Sequence, residues 1–204
     1  MNEKRRALLR VLLALGALPV AGCDEAGKPA FRNTDIGGAN YGKEFALLDS
    51  DGKTWRLADF RGKAVLLFFG FIQCPDVCPT TLARAQEVRR LLGADGERLQ
   101  IIFVTVDPER DTPEILRAYT AAFSDADVLG LYSAPEKTNA LANAFRIYYR
   151  KVPTGSGSDY TVDHSAISYV YDPEGRLRLA VRHEASAESI AADVTMLLKP
   201  SSLK

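Results

Sequence analysis

Short, nearly continuous apolar runs separated by polar punctuation dominate the hydrophobic pattern of this chain. Ala64–Phe71 (AVLLFFGF) and Leu99–Val106 (LQIIFVTV) lack polar alternation, which predicts two strands covered on both faces. Between them, Thr80–Leu92 places Leu82, Ala85, Val88, Leu91 and Leu92 at helical spacing. Upstream, Phe45–Leu48 and Thr54–Leu57 flank Asp51-Gly52, a hairpin signal. Thr112-Pro113-Glu114 opens a helix, with Thr as N-cap, Pro at the first position and an acid in the first turn. Ser133-Ala-Pro-Glu136 reads as the capping box of a further helix running to about Tyr148. Ala166–Tyr171 and Leu177–Arg182 surround an Asp172-Pro-Glu-Gly175 turn as a second hairpin, and Ser186–Leu198 closes the chain as an amphipathic helix.

Strand–helix–strand followed by hairpin–helix predicts an α/β, thioredoxin-like fold: a central mixed sheet flanked by helices, with an extra N-terminal β-hairpin and an inserted helix. With 204 residues, 47% of them apolar, one good-sized core is expected. The 26 basic and 26 acidic side chains cancel and are scattered, so nothing reads as a nucleic-acid footprint.

The first residues differ in kind. Lys4, Arg5 and Arg6 precede the apolar run Val11–Val20, which ends at Val20-Ala21-Gly22-Cys23. This is the layout of a secretory signal, and the run of about ten residues is well short of a membrane-spanning helix. Val-Ala-Gly-Cys resembles a bacterial lipobox, which would make Cys23 the lipid-attachment site; an ordinary signal peptide with Cys23 incidental is the alternative. Asp24 after Cys23 resembles the arrangement associated with inner-membrane retention in lipoproteins of enteric bacteria, and that resemblance implies the same placement. The expected organisation is a lipoprotein signal peptide over 1–22, a polar Gly/Pro/Asn membrane tether over 23–40 and the folded domain over 41–204.

Of three cysteines, setting Cys23 aside isolates Cys74 and Cys78 in Cys74-Pro-Asp-Val-Cys78-Pro79. A structural disulfide, a redox couple and a metal site are all open, although so short a loop makes a poor staple. In a right-handed strand–helix–strand unit the two strands are parallel, so the cysteines and Asp107 both fall at the carboxyl edge of the sheet. An antiparallel strand starting at Ala166 begins at that same edge, preceded directly by Asp163-His164-Ser165. Cys78, next to Pro79, is expected at or near a helix N-cap, where the dipole favours thiolate. Two thiolates and an imidazole form a soft three-coordinate set that suits copper, whereas a structural zinc site takes four protein ligands. Plainer readings stand beside these. His164 can be a satisfied buried histidine, Asp107-Pro108 a simple strand end, and His183 a solvated side chain. Phe68, Phe69 and Phe71 read as core. Arg146, Tyr148, Tyr149, Arg150 and Lys151 read as a solvated helix end, with a docking face as the minority alternative.

The combination Cys74-Pro-Asp-Val-Cys78-Pro, Val106-Asp-Pro-Glu-Arg-Asp-Thr-Pro113 and Asp163-His164-Ser165 resembles the Sco/SenC proteins, from about Tyr41 to Leu198 and in the family's order. That resemblance implies a membrane-tethered copper metallochaperone of thioredoxin fold. Cys74, Cys78 and His164 would bind one Cu(I) or Cu(II) per monomer, the dithiol holding the metal and the disulfide releasing it. The implied client is the dinuclear copper centre of cytochrome c oxidase, with its copper-site subunit as partner, a periplasmic copper donor and a thiol reductant beside it. The implied location is the periplasmic side of the inner membrane. Asp107 is the candidate for support of the site or partner docking. Two enzyme readings compete: a thiol:disulfide oxidoreductase acting on the cysteines of that copper site through Cys74 and Cys78, and a thiol peroxidase suggested by fold analogy alone.

Overall fold

The computed structural model describes residues 30–123, 128–155 and 159–199. Cys23 and the expected signal segment lie outside the described residues, as does most of the Gly/Ser loop after Gly155. Among the described residues no helix is long and apolar enough to cross a membrane.

The strands are β1 (Thr34–Asp35), β2 (Ala46–Leu48), β3 (Thr54–Arg56), β4 (Ala64–Gly70), β5 (Leu99–Thr105), β6 (Val128–Leu131), β7 (Tyr149–Pro153), β8 (Tyr160–His164), β9 (Ile167–Tyr171) and β10 (Leu177–Arg182). The helices are α1 (Val77–Leu91), α2 (Pro113–Ala121), α3 (Pro135–Ala144) and α4 (Ala187–Leu198). Six strands form the central sheet in the order β1-β10-β9-β4-β5-β6. β4, β5 and β6 are parallel, while β9 runs antiparallel to β4 and β10 antiparallel to β9. This is the mixed, thioredoxin-like sheet expected from the element order.

β4 is buried throughout, because the period-two alternation of a strand feeds both faces. Ala64, Leu66 and Phe68 join the core under α1, α4 and Leu116 of α2. Val65, Leu67, Phe69 and Phe71 join the opposite core with the β2–β3 hairpin, Phe145 beyond α3, and Val162 of β8. Thr112 caps α2 by accepting from the Ile115 amide, as its sequence predicts, and Ser186 caps the closing helix α4 by accepting from the Ser189 amide.

Several expectations change. The segment expected as tether through residue 40 is in part docked on the domain: β1 pairs with β10, and the Arg32 and Asn33 amides donate to the buried Asp193 of α4 at 2.8 Å. α1 starts at Val77, earlier than expected, because Pro79 falls in the first turn, where its missing N–H costs nothing. The N-cap of α3 is Ala134 without a side-chain bond; Ser133 instead meets the Thr138 hydroxyl at 3.1 Å, so the Ser133–Glu136 capping box does not form. That helix stops at Ala144, since Arg146 adopts φ 55 and Ile147 N closes back on Ala142 O. Of the residues read as a solvated helix end, Tyr149, Arg150 and Lys151 instead open β7, paired antiparallel with β8. β6, which the sequence reading passed over, completes the parallel part of the sheet beside β5.

Candidate metal centre

Residues just past the ends of β4 and β5 meet at one edge of the sheet, because the two strands are parallel with Gly70 opposite Thr105. The β4 end leads through a turn closed by Cys74 N to Phe71 O, 3.2 Å, and then into α1. Cys74 is half-buried between the two cores; Cys78, on the inner side of α1, is fully buried. His164 ends β8 immediately before β9 enters the sheet.

The ligand atoms of Cys74, Cys78 and His164 all lie within 4.8 Å of one another, and Cys78 Sγ is 3.7 Å from His164 Nε2. Among the described residues this is the cluster of potential ligands close enough to share a metal ion. His164 is held for the purpose. Its Nδ1 lies 3.1 Å from the Ser165 carbonyl. A carbonyl only accepts, so Nδ1 carries the proton and Nε2 turns its lone pair toward the sulfurs. Ser165 is itself fixed to the start of β7: its amide donates to Tyr148 O at 2.9 Å and its Oγ accepts from Tyr148 N at 3.0 Å. The Phe71 ring meets the imidazole edge-on, centroids 5.8 Å apart.

Burial disfavours charge on two of the three ligands. Burial holds the His164 pKa below the ordinary imidazole value. Burial also pushes the Cys78 thiol up, with the neighbouring Cys74 adding to it. Cys78 stands near the N-cap as expected, in the first turn of α1, but the thiolate expectation is corrected: desolvation outweighs the helix dipole there. Space around Cys78 is tight: a Cβ on Gly70 would lie 2.6 Å from Cys78 Sγ and 2.9 Å from the Phe103 ring.

Asp107 lies outside the ligand cluster. Its side chain is 1% exposed, so the carboxylate cannot meet a docking partner. It accepts from the Arg110 Nε and, at 2.8 Å, from the Tyr160 hydroxyl. Next to it, the buried Asp111 accepts from the Thr105 hydroxyl and from Ile72 N at 3.1 Å, and burial raises its pKa. His183, expected to be solvated, is half-buried against α1, with Nδ1 3.3 Å from the Thr81 hydroxyl. Arg110 and Ser165 stand inside the quoted motifs without a role assigned to them, and Tyr160 escaped sequence reasoning. Tyr160, Val162 and His164 alternate along β8, a strand signal hidden by the adjoining Gly/Ser loop.

Residues 33–199 match the family model described as SCO1/SenC. The Bos taurus protein named "Protein SCO2 homolog, mitochondrial" is 37% identical over 184 residues, covering 89% of this chain and 67% of that protein. The chain spans 57% to 67% of the length of the mammalian SCO2 relatives it matches. Among solved structures, copper-bound ScoI of Bradyrhizobium japonicum superposes with a TM-score of 0.69 and 39% identity, covering 78% of this chain and 99% of that one. The apo Sco1 protein of Thermus thermophilus gives 0.72 and 39%, covering 82% and 97%.

Proposed function

This chain belongs to the SCO1/SenC family, and on that premise we propose that it binds one copper ion through Cys74, Cys78 and His164 and delivers it to the dinuclear copper centre of cytochrome c oxidase. The observation that carries this reading is the convergence of two sulfurs and a lone-pair-bearing imidazole nitrogen within 4.8 Å. The donor set suits copper: thiolates hold Cu(I), and the imidazole accommodates Cu(II). Three protein donors leave a coordination position for an incoming ligand, so copper can leave by exchange. Copper is cargo here, and the residues of this chain do the rest. Cys78 gives up its proton on binding, Ser165 fixes the His164 tautomer, and the buried side of the site excludes water. Exchange with a partner disulfide, which would take up the two electrons and two protons as two thiols, would join the sulfurs and remove two donors at once.

Purified, reduced protein should take up about one Cu(I) per chain and keep it against a moderate chelator. Cys74→Ala or Cys78→Ala should weaken Cu(I) binding by at least about tenfold, and His164→Ala should do the same to Cu(II) binding. Added Cu(II) should give intense thiolate-to-copper charge-transfer bands that are lost in each variant. Failure of the reduced protein to hold Cu(I) removes this reading.

One observation favours a second reading, reduction of the client's cysteines: Cys74 and Cys78 are free thiols, the first half-exposed and the second buried. A partner disulfide would accept the two electrons and two protons, leaving two partner thiols and a Cys74–Cys78 disulfide. Thiol–disulfide exchange with a client peptide that survives His164→Ala would select this role over metal delivery.

The anchor belongs to the same reading. Val20-Ala21-Gly22-Cys23 supports lipidation of Cys23 and attachment at the periplasmic side of the inner membrane. Cys23→Ser should move the protein from the membrane to the soluble envelope fraction; an unchanged distribution would rule out lipid attachment there.

A further inference from the structure

Arg110 is neither a ligand nor a surface charge. Its side chain is 21% exposed, and Nε pairs with the buried Asp107 carboxylate at the end of β5. Nη1 donates to the Gln73 side-chain oxygen at 3.0 Å and to the Tyr160 carbonyl at 2.7 Å. The guanidinium carbon stands 3.7 Å from the centre of the Tyr160 ring, whose hydroxyl returns to Asp107. Gln73 directly precedes Cys74, and Tyr160 opens β8, the strand that ends at His164. A single guanidinium therefore spans the loop that carries one sulfur and the strand that carries the imidazole. Nη2 is buried with no hydrogen-bond partner among the described residues, so the bridging contacts, rather than full satisfaction of the fork, set where the group sits.

We infer that Arg110 is a positioning residue: it holds β8, and with it His164, against the Cys74 loop, so that the sulfur and imidazole donors are gathered before copper arrives. The functional meaning of this inference rests on the copper reading of the site. A planar fork suits the task because it meets a carboxylate, an amide oxygen, a carbonyl and a ring face in fixed directions; the ammonium of lysine does not. Gathering the donors in advance removes an ordering cost from binding. The effect falls unevenly on the two oxidation states. Cu(I) is satisfied by two sulfurs, while Cu(II) draws on the imidazole.

The test uses the purified, reduced chain with copper alone as probe. Arg110→Met should keep Cu(I) affinity within about threefold and weaken Cu(II) binding by about tenfold or more, with a shifted charge-transfer band. Arg110→Lys should recover only part of the loss. Gln73→Ala removes a single tie from an exposed side chain and leaves the fold untouched even if Arg110→Met misfolds. It should cause a smaller loss in the same direction, less than additive with Arg110→Met. Wild-type Cu(II) affinity and spectrum in both Arg110→Met and Gln73→Ala overturn the inference. A metal-free readout separates it from the copper reading: the His164 imidazole NMR resonances should move in Arg110→Met. If the wild-type chain binds no copper, that shift still supports the positioning role, and unmoved resonances overturn it.

Discussion

Cys78 combines complete burial with the chemistry of a ligand, and the two pull in opposite directions. Because burial raises its thiol pKa, the metal-free protein carries a proton there at neutral pH. Copper uptake should therefore release at least one proton, measurable by calorimetry in buffers of different ionisation heat, and affinity should rise with pH. Gly70 protects the same sulfur by having no side chain. Gly70→Ala would drive a methyl group into Cys78 Sγ and the Phe103 ring. We expect a loss of about 1–3 kcal/mol in urea denaturation and a disturbed copper spectrum. His164 adds a pH signature. Its folded-state pKa lies below the usual value, so the unfolded chain takes up the proton first as pH falls below about 6.5. The unfolded state then binds more protons, and the stability this group contributes, present above that pH, is lost as pH drops through the folded value. Urea titrations at about pH 7.5 and about pH 5 should show a smaller pH-dependent loss in His164→Ala than in the wild type.

At the scale of elements, α2 and β6 offer a control for the Gly70 result. A Cβ on Gly130 of β6 would meet Leu116 and Thr120 of α2 at 2.9 and 3.0 Å. Gly130→Ala should cost about 1–3 kcal/mol in the same denaturation assay and leave copper binding unchanged. Elements were legible where packing and local chemistry agreed. β4 and β5 announced themselves as unbroken apolar runs, α2 by a genuine cap and α4 by its amphipathic spacing. The cysteines and His164 could be brought to one sheet edge from strand direction alone, since parallel β4 and β5 and antiparallel β9 leave little choice. β7 was illegible for a physical reason. Arg150 and Lys151 are exposed and pair with Asp163 and Glu109, so the strand shows charge where an apolar stripe was sought. The first turn of α1 was misjudged because Pro79 reads as a boundary, although its ring fits anywhere in an opening turn. Arg110 was invisible because its contacts join segments far apart in the chain.

For the molecule as a whole, the domain begins before Tyr41, and Asp193 is the reason. Its buried carboxylate receives the amides of Arg32 and Asn33 and the Asn33 side chain. Asp193→Ala should cost about 1–3 kcal/mol in urea denaturation and open the segment before Ile36 to proteases; a chain starting at residue 41 should lose similar stability. The same segment supplies β1, which lies along part of the outer side of β10, while the Leu48–Tyr132 bridge brings the β2–β3 hairpin to the chain just past β6. Both margins of the sheet are thereby blunted, and a visiting protein finds little free strand to add itself to. A sheet margined this way is guarded against capture by strand addition, whichever protein comes near it.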